Sequence, residues 1–100
     1  MKNKVLIVQN KHICDLNISP KECVSWVNES FCMKYEAQLP AKISVHPQGN
    51  DFFTSMPALL PQPYRFFGVK EVCRINGREP ALSSDILLYD SITGHLRALM

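Results

Sequence analysis

Two lysines carry the chemistry this chain can offer. Lys70 lies in a run of alternating residues, two positions after Gly68, so packing can fix its stem while its ammonium faces whatever space that side of a strand looks upon. An ammonium held in this way binds a carboxylate or, once desolvated, exchanges a proton. Lys42 offers the same group within an earlier alternating run. Each also has a plain reading as a solvated surface residue, because lysine is seldom deeply buried. The other reactive types are scattered. Cys14, Cys23, Cys32 and Cys73 form no Cys-x-x-Cys pair, and helical spacing sets Cys23 and Cys32 on opposite faces. We expect reduced thiols that serve partly as core residues. His12, His46 and His95 lack metal-ligand spacing, and Gly49, Gly68, Gly77 and Gly94 form no glycine-rich nucleotide motif. We therefore assign no metal-binding and no cofactor-binding residue.

These lysines must be positioned by strands. Residues 4–8 form an apolar run too short for a helix, read as a buried strand, and residues 10–16 can hold a helical turn. Ser19-Pro20-Lys21-Glu22 is a capping box with proline at the first helical position. Val24, Val27, Phe31 and Tyr35 then recur at helical intervals as one apolar stripe, with Trp26 off it. Pro40 should end this helix near residue 37. Beyond it the period becomes two. Residues 41–46 and 51–56 read as a hairpin around Pro47-Gln48-Gly49-Asn50, residues 57–63 as an irregular proline-rich connection, and residues 66–75 as the longest strand. Alternation puts Phe67, Val69, Cys73 and Ile75 on one face and Gly68, Lys70, Val72 and Arg74 on the other. Asn76-Gly77 marks a turn, residues 78–84 a loop, and residues 85–90 and 95–100 two strands joined through Ser91-Ile92-Thr93-Gly94. The fold class is α+β: a mostly antiparallel or mixed sheet of about five to six strands covered by one main helix, with a short helical turn before it.

Composition narrows the function classes. The 100 residues are 46% hydrophobic and 20% charged with a net charge of +2, which fits one globular domain and excludes a disordered chain. Basic residues form no run and do not interleave with aromatics, so we expect no nucleic-acid partner. No apolar stretch approaches the roughly 20 residues needed to cross a bilayer. Met1-Lys2-Asn3-Lys4 precedes only a four-residue apolar run without a cleavage site, so we expect no secretion signal and a cytoplasmic protein.

One ordered pattern adds to this. It comprises Pro40-Ala41-Lys42-Ile43-Ser44-Val45-His46-Pro47, then Met56-Pro57-Ala58, Gly68-Val69-Lys70, and Ile86-Leu87-Leu88-Tyr89-Asp90 with Thr93-Gly94. In this order and spacing the chain resembles the N-terminal domain of the ornithine cyclodeaminase and mu-crystallin family. The resemblance implies a substrate-binding and dimerisation domain whose parent also has a Rossmann domain for NAD(H) or NADP(H). It implies amine oxidation or imine reduction beside a substrate carboxylate. Lys70 matches the family's active-site lysine, implying both a catalytic and a carboxylate-binding role. Met56 matches the methionine lining the pocket. Lys42 stands where the family usually has a clamping arginine, a point charge in place of a bidentate fork. Ala81 and Ser83 replace the usual threonine and glutamine.

We therefore expect a cytoplasmic homodimer that binds a small amino or imino acid and is inactive alone. The nucleotide domain, a second clamping arginine and a catalytic acidic residue are expected outside these residues. The alternative is a non-catalytic interaction or ligand-binding module without a Rossmann half. A third reading is a small α+β domain with surface lysines.

Overall fold

The computed structural model describes residues 4–100; the first three residues of the opening segment read above for a secretion signal lie outside the described residues. Eight elements follow one another: β1 (Leu6–Ile7), α1 (Asn10–Asp15), α2 (Pro20–Met33), β2 (Ile43–Val45), β3 (Phe52–Leu59), β4 (Phe66–Arg74), β5 (Leu82–Asp90) and β6 (Leu96–Leu99). The strands form one sheet in the order β1-β6-β5-β4-β3-β2. All neighbours are antiparallel except β1 and β6. That mixed sheet with two helices is the expected α+β class.

Local chemistry explains where the elements begin and turn. Ser19 accepts from the Glu22 backbone N–H at 3.1 Å, and Pro20 follows it as the first residue of α2. The reciprocal half of the expected box, from Glu22 back to Ser19, is absent among the described residues. The shorter α1 has its return bond instead, with His12 Nδ1 accepting from the Gln9 N–H at 2.9 Å. The turn after it holds Asn17 at a φ of 50°, the left-handed conformation that asparagine tolerates best after glycine. Gly77 and Gly94 sit at φ of 88° and 77°, where a side chain would be strained. At the second of these turns the Asp90 carboxylate accepts from the N–H groups of Ile92 and Thr93 at 2.8 and 3.0 Å.

Among the element limits that differ from the sequence reading, β2 starts only at Ile43 and leaves Lys42 outside it, and three others differ because pairing overrides local composition. β3 runs on through Pro57 to Leu59 instead of breaking at the proline. The Leu59 N–H donates to Gln38 and so points away from β4; Pro57, of the same parity, has its missing donor on that outer side, where β2 has already ended. β5 starts at Leu82, so Leu82, Ser83 and Ser84 belong to the sheet and not to a loop, paired with Arg74, Cys73 and Val72. Helix α2 ends at Met33 instead of near residue 37, because the chain must reach the β3 edge by Gln38, which pairs with Leu59.

The larger correction concerns cover. The sequence places the main helix on the sheet, but none of its residues is buried, and helices and strands make no close element contact. Val24, Val27, Phe31 and Tyr35 all stand exposed, as does Trp26. β1 is likewise an exposed edge strand, not a buried one. Cys14, Cys23 and Cys32 are exposed rather than core, and all four thiols are free. Only Asp51, Thr54 and Ala98 are buried among the described residues. Neither helix lies against the sheet, and each sheet face mixes apolar residues with charged ones, Lys70 and Arg74 on one and Glu71 and Asp85 on the other, so little apolar surface is removed from water. No helix among the described residues is long and apolar enough to cross a membrane.

Candidate functional site

Register decides which side chains meet. In an antiparallel pair, residues directly opposite share a face. Lys70 on β4 is opposite Met56 on β3 and Ile86 on β5. Ile43 pairs with Ser55, so one further step of that register sets Lys42, the residue before β2, opposite Met56. Ile86 exchanges backbone hydrogen bonds with Met100 at 2.6 and 2.9 Å. The result is one row across the sheet: Lys42, Met56, Lys70, Ile86, Met100. Three residues singled out from sequence are thus brought together by strands that are far apart along the chain. Neighbouring strands lie about 4.8 Å apart, so the two lysine backbones stand roughly 10 Å apart with Met56 between them.

The row is open and positively charged. Lys42, Met56 and Lys70 are all exposed, and among the described residues neither ammonium has a hydrogen bond or a carboxylate in ion-pair range. The ion pairs that do form join Arg65 to Asp90 and Arg74 to Asp51. A Cβ added at Gly68 would meet only the Leu87 carbonyl oxygen, at 3.8 Å. That is ordinary contact, so this glycine leaves open floor beside Lys70 and is not demanded by packing. Behind the row, Ser44 and Thr54 share a 2.7 Å hydroxyl hydrogen bond on the same face. Two free cations over a methionine floor can hold one carboxylate between them; an exposed ammonium with no acid or base beside it is poorly placed for proton transfer.

Other polar groups lie elsewhere. Ser83 is on the opposite face from Lys70, opposite Cys73, where its hydroxyl accepts from Arg78 Nη2 at 2.7 Å. The same guanidinium lies 3.3 Å from the Cys73 sulfur. The Ser83 hydroxyl, then Arg78, hold the Cys73 thiol below its ordinary range. Asp51 is 3% exposed, accepts from the Asn76 N–H at 2.8 Å and pairs with Arg74 at 3.6 Å. These residues border a hollow of about 470 Å³. Its cation is already paired, so it offers less to an anion than the lysine row does. His46 donates to the Asp51 carbonyl at 2.9 Å, and no metal-holding cluster occurs among the described residues.

No family model and no curated protein matches this chain. Sequence reasoning found Lys42, Met56 and Lys70 of that row but missed the Asp51 clamp and the Arg78 bracket over Cys73. Asp90 before Ser91 was readable as a turn-capping aspartate. Nothing in sequence marks Arg78, whose partners are set by the register of β4 on β5.

Proposed function

We propose that this chain is the substrate-binding and dimerisation portion of an NAD(P)-dependent amino-acid or imine enzyme resembling ornithine cyclodeaminase, and that it does not turn over substrate alone. The observation that carries the reading is Lys70 opposite Met56, with Lys42 one residue beyond the β2 register on the same side and no carboxylate in ion-pair range of either ammonium among the described residues. The substrate carboxylate lies between the two lysines, and Met56 and Ile86 support its apolar part. Lysine at position 42 gives a looser hold than a guanidinium fork would. Lys70 binds the carboxylate here; its proton-transfer role in a parent enzyme requires that a further layer desolvate it.

On this reading these residues hold the substrate carboxylate, and the dinucleotide and the hydride step are left to the parent's second domain. A second reading, a ligand-binding module without turnover, is favoured by the lack of an acid or base within the row. Four free thiols support a reducing, cytoplasmic setting.

Calorimetry with a panel of amino and imino acids tests the proposal. Saturable binding is expected for wild type. Lys70→Ala should weaken it by about tenfold or more, the scale of one charge-assisted contact in a partly screened site; Lys42→Ala should weaken it less. Binding that survives Lys70→Ala unchanged would exclude the row as the site. A glycine-rich nucleotide motif in the gene beyond codon 100 would separate the enzyme portion from the stand-alone module.

A further inference from the structure

A third cation of the sheet stands without a partner once the two lysines are assigned. Between β5 and β6 the register jumps: Ala98 pairs with Leu88 and Leu96 with Tyr89, so Arg97 between them has no residue opposite. A bulge of this kind leaves its extra residue outside the ladder and re-aims its side chain. Arg97 is exposed, and among the described residues its guanidinium has neither a hydrogen bond nor a carboxylate in ion-pair range. With Pro63, Tyr64, Arg65, Phe66 and Asp90 it borders a hollow of about 370 Å³.

The lining charges of that hollow do not cancel. The Asp90 carboxylate already accepts from the Ile92 and Thr93 N–H groups, and Arg65 Nη2 lies 3.3 Å from it. Arg65 and Asp90 therefore neutralise each other, and Arg97 is uncompensated. The Tyr64 hydroxyl is engaged as well, donating to Glu29. An anion that enters beside Phe66 meets a planar guanidinium with its donors available, the group best matched to a carboxylate.

The hollow and the lysine row share a face of the sheet. Phe66, opposite Asp90, has the parity of Lys70 and lies four residues before it on β4, roughly 13 Å at the rise of a strand. Midway is Gly68, opposite Ala58 and Leu88, where an added Cβ would meet nothing closer than 3.8 Å. The path along β4 crosses this low ground, and the flexible lysine and arginine stems narrow the gap from both ends.

We infer that the ligand of the lysine row is a diacid, an amino or imino acid whose first carboxylate lies between Lys42 and Lys70, whose apolar part crosses Gly68 and whose second carboxylate is held by Arg97. This rests on the reading of the row as a carboxylate site and adds the substrate class. Arg97 then sets the preference: a monoacid leaves its guanidinium to water, and a substrate ending in an amine meets a like charge.

Calorimetry on the full chain tests this with chain-matched pairs, glutamate against norvaline and aminoadipate against norleucine. In wild type each diacid should bind about tenfold or more tighter than its monoacid, the scale of one further charge-assisted contact in a partly screened site. Arg97→Ala should remove most of that margin, and Arg97→Lys should keep part of it. Both variants should melt as wild type does, because the side chain is exposed and has no ion pair among the described residues. Lys70→Ala should weaken all four ligands. Equal binding of diacid and monoacid, or a margin that Arg97→Ala leaves intact, overturns the inference and leaves the lysine row standing. Diacid binding that needs Arg97 but survives Lys70→Ala makes the hollow a separate anion site and overturns the shared ligand. Binding of none of the four overturns both the diacid and the row.

Discussion

Asp51→Ala should destabilise this chain well beyond the loss of its ion-pair partner Arg74. Its carboxylate is buried at the point where two turns meet, accepting from the Asn76 N–H at 2.8 Å. A hydrogen bond to a charged acceptor contributes about 1.5–3 kcal/mol. The Arg74 guanidinium at 3.6 Å is 38% exposed, so that pair adds at most about 1 kcal/mol. Removing both leaves a backbone donor without a partner and lowers stability by about 2–3 kcal/mol. For a chain of this size that is a fall in Tm of roughly 10–20 °C. Asp51→Asn keeps an acceptor for Asn76 and should cost about 1 kcal/mol, and Arg74→Ala less than that. The assay is thermal unfolding by circular dichroism at fixed protomer concentration, because an oligomer's Tm depends on concentration. If Asp51→Ala melts within a few degrees of wild type, the clamp contributes nothing. If Asp51→Asn costs as much as the alanine, charge rather than the acceptor geometry is responsible.

Two further outcomes concern the titrating groups. The Ser83 hydroxyl and the Arg78 guanidinium stabilise the Cys73 thiolate, so Ser83→Ala or Arg78→Ala should raise its pKa and reduce the thiolate present near neutral pH. Iodoacetamide alkylation of Cys73, with the other three cysteines replaced by serine, should slow in both variants; unchanged rates would discount the bracket. The Asp90 carboxyl is held below its ordinary 3.8 by the Thr93 and Ile92 N–H groups and then by Arg65. A lowered folded pKa means that its stabilisation is fully present above the ordinary value and is lost as pH falls through the lower folded one. The stability difference between wild type and Asp90→Asn should therefore shrink on acidification through that window, and a constant difference in urea melts would refute it.

Most of the turn chemistry was legible because it is local. Ser19 with Pro20, Asn76 with Gly77, and Gly94 act on backbone groups within four residues of themselves. The strand identities of β3, β4 and β5 were legible because alternation is a property of each strand alone. Pro57 and Leu82 were misread for the converse reason: a proline ends a strand only if its missing donor faces a partner, and Ser83 is a strand residue only because Cys73 lies opposite. The candidate site divides in the same way. Lys70, Met56 and Lys42 could be picked out one by one, but their common row depends on two register relations.

The sequence by itself determined the α+β class, the helix start, the turns and the two faces of the longest strand, since each follows from contacts only a few residues apart. The tertiary structure alone decided that Lys42 and Lys70 flank Met56, that Asp51 locks two turns and that α2 leaves the sheet uncovered. Those outcomes depend on which strands pair and in what register, and on whether one chain holds enough apolar layers to cover both sides of its sheet. An amphipathic stripe specifies that a helix needs a partner surface; it does not specify whose.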